Sequence, residues 1–457
     1  MTVSFTTVLL GASLFISSFN FLNAQDTRKV AEPTLPPPCT TLQSRIGRAG
    51  LSIAFDDESK LDTTRIQAAL DQCTPGHAVI LRKSSGRLDA FVSGPLDLRS
   101  GVALIVDAGT YLFASRNPRD YDRSPGVCGT IDEHGHGCRA LINGENVPDS
   151  GVMGDGVIDG RGGETMLGGK FSWWNLADMA RQAGAQNNPR LIVLKHCNNF
   201  VLYRITLMNS PNFHVGYDNG DGFTVWGVKI WCPERARNTD GIDPGNSSNV
   251  TIANSYFHTG DDQIAIKAQA GKATTHMSIV HNHFYSGHGM SIGSQTEGGA
   301  SAIRVSDLSI DGSDNGLRIK SNRTRGGLVR DVVYDDVCIR NTANPVFMDT
   351  NYLAHTSKGT DHLPMFRDIV VRNVRVQGGG KVTLEALDET HRLSIQFDNL
   401  VFDNPGGIKI AAKHAEVKVG PGPFDLTVQG PDVSVAGTVG RGIPNACTGK
   451  FVEFPAP

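Results

Sequence analysis

The sequence predicts an all-β fold, a right-handed parallel β-helix in which short strands stack coil upon coil, and three observations carry that expectation. Apolar residues alternate in short runs along most of the chain, separated by Gly, Asn, Asp and Ser. The runs Gly222-Phe223-Thr224-Val225, Asn249-Val250-Thr251-Ile252 and His276-Met277-Ser278-Ile279 recur with a period of 27 residues, a repeat length typical of solenoids and here free of any helical pattern. Gly is abundant, at 52 of 457 residues, while charged residues make up only 19%, which suits many tight turns between strands. Each coil would contribute about three strands, stacked on the next at the ~4.8 Å inter-strand spacing. A Greek-key sandwich shares the alternation but gives no reason for a fixed period.

Taken in order, residues 1–24 contain no charged side chain and include an apolar run through Val8, Leu9 and Leu10 to Phe21 and Leu22. They read as a signal peptide ending at Ala24, although no Lys or Arg marks its start. Ser and Asn interrupt the run, leaving it short of the roughly 20 apolar residues a membrane span needs. No membrane contact is therefore expected after its removal. Residues 25–78 hold a Pro-rich lead-in and a helix over residues 62–70, with Asp62 as the N-cap candidate and Ile66, Ala69 and Leu70 at helical spacing. A helix in that place could cover an open sheet edge. Residues 79–420 form the solenoid, with a second, weaker helix over residues 173–182. Gly420-Pro421-Gly422-Pro423 breaks the pattern, and residues 421–457 finish the C-terminal end.

Eight cysteines in an exported chain make disulfides expected. Cys128 with Cys138, bracketing a Gly/His-rich loop, is the first pair and Cys39 with Cys73 the second; Cys197, Cys232, Cys338 and Cys447 stay unassigned. No Cys-x-x-Cys spacing points to structural zinc. The net charge of -3 argues against a nucleic-acid partner, which usually leaves a strongly basic face.

Four polar groups stand in phase with the repeat: Asn238-Thr239-Asp240, Gly260-Asp261-Asp262, Gly287-His288-Gly289 and Arg318-Ile319-Lys320. The strands after them align on Ile242, Ile264, Met290 and Leu317. In that register Asp240, Asp262 and His288 sit two positions before the anchor, and Arg318 and Lys320 one and three after it. The 27-residue alignment instead pairs Asp261 with His288, so the two registers differ by one residue, yet either brings the groups together. Close carboxylates repel, which raises the pKa of one while cations hold others ionised; that separation supplies the acid and base of glycosidic bond cleavage. Arg318 and Lys320 share a strand face and could grip a substrate carboxylate. Singly, Gly-Asp-Asp is a turn or calcium loop, Gly-His-Gly a turn and Arg-Ile-Lys a solvated strand face. Their joint order and phase are not explained that way.

Those four motifs, in that order, resemble the signature of the polygalacturonases of glycoside hydrolase family 28. Supporting stretches are residues 128–138, Gly156-Val157-Ile158-Asp159-Gly160, Ser172-Trp173-Trp174, Asn209-Ser210-Pro211-Asn212-Phe213-His214 and residues 238–244. The likeness covers most of the mature chain and is strongest to secreted bacterial endopolygalacturonases. It implies a right-handed β-helix that hydrolyses α-1,4-galacturonosyl bonds of polygalacturonate or pectin with inversion, as a secreted monomer, without a metal or other cofactor. Asp261 matches the family's general acid, Asp240 and Asp262 the pair that activates water, and His288 the histidine that sustains the acid's protonation. Arg318 and Lys320 match the cations for galacturonate carboxylates, Tyr352 a substrate-binding tyrosine, and Asn238 completes the substrate-binding set. Trp173 and Trp174 are expected to pack rather than bind sugar. A calcium-dependent pectate lyase and a non-enzymatic β-helix adhesin are the competing readings.

Overall fold

The computed structural model describes residues 26–353 and 361–456; the signal-peptide expectation for residues 1–24 lies outside them. Among the described residues, parallel strands build a β-helix, the fold expected from the repeat. One wall is an 11-stranded sheet running from Leu96–Asp97 to Ile408–Lys413. A larger, bent, 20-stranded sheet forms the rest of the coil, and two small two-stranded sheets stand apart from both.

The bend has a local cause. Early coils use two short strands separated by a corner, as in Asp221–Trp226 with Lys229–Trp231 and Ser248–Ala253 with Tyr256–His258. From Thr274–Phe284 onward the two fuse into one long strand per coil, such as Ala300–Asp311 and Leu328–Arg340. The corner residue nevertheless keeps a left-handed conformation: Asn254 (φ 54), His281 (φ 56), Asp307 (φ 50), Asp336 (φ 58), Asn373 (φ 53) and Asn399 (φ 59). Asn, Asp and His are the side-chain-bearing residues that most readily tolerate this region.

Both sequence registers hold, each for its own sheet. Phe223 pairs with Val250 and Val250 with Met277 in the larger sheet, and all three side chains are fully buried, forming the apolar ladder that the period predicts. Ile242, Ile264, Met290 and Leu317 pair in sequence in the 11-stranded sheet. The turns between sheets absorb the one-residue difference.

The first helix is Thr63–Gln72, burying Ile66 and Leu70. Asp62 does not cap it with a side-chain hydrogen bond; its carboxylate accepts instead from Arg65 Nε at 2.6 Å and from the Val92 N–H at 3.3 Å. The second, Trp173–Ala183, starts at a capping box between Ser172 and Asn175, a device contributing about 0.5–2 kcal/mol. Trp173 is buried and meets Tyr121 edge-on. Cys39–Cys73 and Cys128–Cys138 are bonded as expected, Cys338–Cys447 makes a third bridge, and Cys197 and Cys232 are buried thiols.

Strands also lie outside residues 79–420. Pro38–Gln43, ahead of the first helix, pairs with His77–Arg82 after it, and Val433–Gly437 adds to Ala415–Val419 at the far end. Both terminal segments then run back over the outer face of the larger sheet. Asp26 N–H donates to Ser278 Oγ and Arg28 to the Phe223 carbonyl, while the Val452 and Ala456 carbonyls accept from Tyr285 and Lys229. None of these four contacts involves a strand of the 11-stranded sheet. Among the described residues no helix is long and apolar enough to cross a membrane.

Candidate active site

The strands Ile242–Gly245, Ile264–Ile266, Met290–Gly293 and Asn315–Lys320 are consecutive neighbours in the 11-stranded sheet. The turn before each of the first three delivers the polar groups. Packing fixes those turns tightly: a Cβ on Gly260 would lie 2.2 Å from the Ala236 carbonyl, and Gly289 (φ +91) would place one 2.3 Å from the Asn315 carbonyl. Neither clearance admits a side chain, which is why these motifs carry glycine. Thr239 donates to the Ala236 carbonyl and accepts from the Gly260 N–H. Gln263, fully buried, accepts from the Gly289 N–H and donates to Ser313, tying one turn to the next.

Three aspartates converge in unlike surroundings. Asp262 Oδ1 accepts from Arg318 Nη1 at 3.1 Å and Ser291 Oγ at 2.7 Å, and its Oδ2 from Lys320 Nζ at 2.7 Å. Asp261 Oδ1 faces His288 Nδ1 at 3.2 Å and accepts from the Asp262 N–H at 2.9 Å. Burial alone would raise Asp261, but the hydrogen bond and charge of His288, with Lys320 beyond, hold its carboxyl well below the usual range. Burial would in turn lower His288; its contact with Asp261 raises it on balance. Asp240 is different. Only 4% exposed, it is pushed well above the usual carboxylate range by burial and then by the charges of Asp261 and Asp243, with Lys267 3.7 Å away opposing. Its Oδ1 has no hydrogen-bond partner.

The structure thus gathers every predicted site residue. Asn238 Oδ1 accepts from Gln186, and its Nδ2 approaches Asp261 at 3.5 Å. Tyr352 lines the cleft with Arg318 and Lys320 beside its ring, 5.2 and 5.3 Å from the centroid. Two expectations change in detail. Arg318 and Lys320, read as substrate cations, are engaged by Asp262. And the carboxyl pushed upward is that of Asp240 rather than Asp261, because His288 and then Lys320 hold Asp261 down against its burial.

Sequence reasoning did not single out Asp243, Lys267 or His214 as site residues. Lys267 Nζ lies 2.5 Å from Asp243 Oδ2, and burial, partly offset by Lys267, pushes Asp243 up to about 6. Lys267 stands three residues after Ile264, as Lys320 stands three after Leu317, so the register itself carried that signal. His214 is completely buried beneath Asp240, with Nδ1 3.0 Å from the Asp240 carbonyl. Burial drops its pKa to about 4, so it is a neutral prop for the turn.

Asp261, Asp262 and His288 place one ligand atom each within 4.8 Å of one another. They suit a metal poorly, because both oxygens of Asp262 are taken by cationic donors whose charge opposes a further cation. What the set can do is hold carboxylates at different proton affinities side by side in a cleft of about 690 Å³.

A profile described as glycosyl hydrolases family 28 matches residues 100–419. The chain belongs to family 28. It is 39% identical to a polygalacturonase of Ralstonia nicotianae over 98% of this chain and 97% of the relative. It is 43% identical to an endo-polygalacturonase of Pectobacterium parmentieri over 82% of this chain and 90% of the relative. The solved polygalacturonase from Erwinia carotovora ssp. carotovora superposes with a TM-score of 0.79 at 40% identity, covering 86% of this chain and all of that one. The family 28 membership makes the protein a glycoside hydrolase and places its carboxylate cluster in an enzyme fold.

Proposed function

We propose that this family 28 enzyme is a secreted, endo-acting polygalacturonase that hydrolyses α-1,4-galacturonosyl bonds with inversion and without a metal. The observation that carries the reading is the trio of Asp240, Asp261 and Asp262, three neighbouring carboxylates held in unequal electrostatic settings between cations. The relatives named polygalacturonase support the substrate class.

In this mechanism Asp261 protonates the glycosidic oxygen, and Asp240 and Asp262 hold and deprotonate the attacking water. Lys320, Arg318 and Ser291 keep Asp262 ionised. Asp261 draws its proton from His288: the pair holds one proton between them, and a polyanionic substrate that displaces water favours the neutral arrangement, with the proton moved to the carboxyl. Asp240 acts in its ionised form, so activity falls as pH drops through its raised pKa. Asn238 steadies Asp261 and Tyr352 flanks the bound sugar. Disulfides and the leader-like residues 1–24 support export, and the pectic polymer is the partner.

The test is viscosity loss set against reducing-end release on polygalacturonate. A steep early viscosity drop with mixed oligomers is expected; monomer or dimer as sole early product overturns the endo reading. Proton NMR of the first product should show the β-anomer, and an α-anomer first would mean retention, for which the close approach of Asp261 and Asp262 leaves geometric room. Chelator should leave the rate intact. An ultraviolet-absorbing product lost on chelation would identify a lyase instead.

Lys320→Ala tests the cation directly. Because Lys320 both faces the cleft and binds Asp262, the variant should raise KM, at about 1.5–3 kcal/mol for a lost charge-assisted contact, and also lower kcat. Parent-like affinity for oligogalacturonate would remove its substrate role, and parent-like kcat its hold on the base.

A further inference from the structure

The register that organises the catalytic residues continues past them toward the N-terminus. Ile192 pairs with Val215 and Val215 with Ile242 in the 11-stranded sheet. Two positions before these anchors stand Arg190, Phe213 and Asp240, in the same column as Asp262 and His288. Arg190 is thus two rungs from Asp240, roughly 10 Å at the inter-strand spacing, on the side away from Lys320 and Tyr352.

Its surroundings reproduce the arrangement at the other flank. There, Arg318 and Lys320 lie beside the ring of Tyr352; here, Arg190 lies over the ring of Phe213 at 4.6 Å, with Lys267 Nζ at 4.2 Å. The difference is in what the cations already hold. Lys267 is taken by Asp243, and Arg318 and Lys320 by Asp262. Arg190 lines the same cleft, half-buried, and among the described residues its guanidinium has neither an ion-pair nor a hydrogen-bond partner. Asp218 and Asp243 line the same cleft and feel its charge without engaging its donors. An arginine seated over an aromatic ring, lining a cleft with no partner for its N–H groups, is preorganised for a carboxylate.

We propose that Arg190, seated on Phe213, binds the carboxylate of a uronate residue of the polymer on the side of the bond being cut opposite Tyr352. The inference rests on the polyuronate reading above and extends it: it gives the cleft a carboxylate site on each side of the catalytic aspartates, so that the chain is gripped across the point of cleavage. Arg190 is a specificity residue here, reading the free acid against its neutral methyl ester.

The experiment compares parent, Arg190→Gln and Arg190→Lys on polygalacturonate and on highly methyl-esterified pectin, with a melting curve for each. Arg190→Gln should raise KM for polygalacturonate roughly tenfold or more, the size expected for a lost charge-assisted contact, with a much smaller change in kcat. The rise should shrink on the esterified polymer, where few free carboxylates are offered. Arg190→Lys, keeping charge but losing the fork, should fall between. A KM equal to the parent's on polygalacturonate overturns the site, as does an equal rise on both polymers. A fall in kcat and Tm alike on both substrates would make Arg190 a packing residue and overturn it too. If the parent itself released no reducing ends from polygalacturonate, the functional reading would fail first; an active parent with an indifferent Arg190→Gln removes this site alone.

Discussion

Asp261→Asn should lower kcat by at least the ~10²-fold typical of lost general acid catalysis, with the fold retained. The amide keeps the volume and can still accept from the Asp262 N–H, so the turn between Thr259 and Gln263 has no reason to rearrange. What disappears is the proton donor. The substitution also removes the partner that holds His288 above its ordinary pKa, so the imidazole should titrate lower. His288→Ala is the complementary change: it frees Asp261 from the contact that depresses its pKa, leaving activity reduced but present, with an altered pH–rate profile. Rates across pH for the three proteins test the coupling. A His288→Ala profile parallel to the parent's would show that the pair does not share its proton, and near-parent kcat in Asp261→Asn would move the acid elsewhere.

The fold was legible because its driving pattern is one-dimensional. Phe223, Val250 and Met277 are neighbours in space for the same reason that they are equidistant in sequence, and a stacked coil repeats that relation without long-range surprises. The shared column of Asp240, Asp262 and His288 was legible for the same reason, since the three hold one position in the register. What stayed hidden depends on side-chain reach. Nothing in the spacing says that the Lys320 ammonium bends to Asp262, or that Cys447 folds back from beyond the last coil to meet Cys338, a partnership spanning 109 residues. Lys267 and Arg190 were readable from the register but only by extending it to coils that carry no recognisable motif. The protonation pattern was least legible, because the proton affinity of each aspartate depends on burial to within a few ångströms.

Asp240→Asn gives the strongest discrimination among roles, because activity and stability should move in opposite directions. As half of the base, Asp240 should cost at least about 10²-fold in kcat when its carboxylate is lost. Its folded pKa lies above the usual value through burial and the charges of Asp261 and Asp243, so the native state binds its proton more tightly than the unfolded chain does. Stability from that proton is fully present below the unfolded pKa and is lost as pH rises through the folded one. Above the unfolded pKa the parent must therefore either bury the charge or take up a proton that the unfolded chain releases, a cost the neutral amide avoids. Lys267 is not orphaned by the change, since Asp243 still holds it at 2.5 Å. The Asp240→Asn protein should melt higher than the parent near pH 7, with the gain shrinking as pH falls toward about 4. Asp261→Asn should do the reverse, because the depressed pKa of Asp261 makes its ionised form stabilising above the unfolded value. Thermal melts of both variants at neutral and acid pH decide the assignment. A destabilised Asp240→Asn at neutral pH would mean that Asp240 is held ionised in the native state, and the base would then be ready without losing a proton.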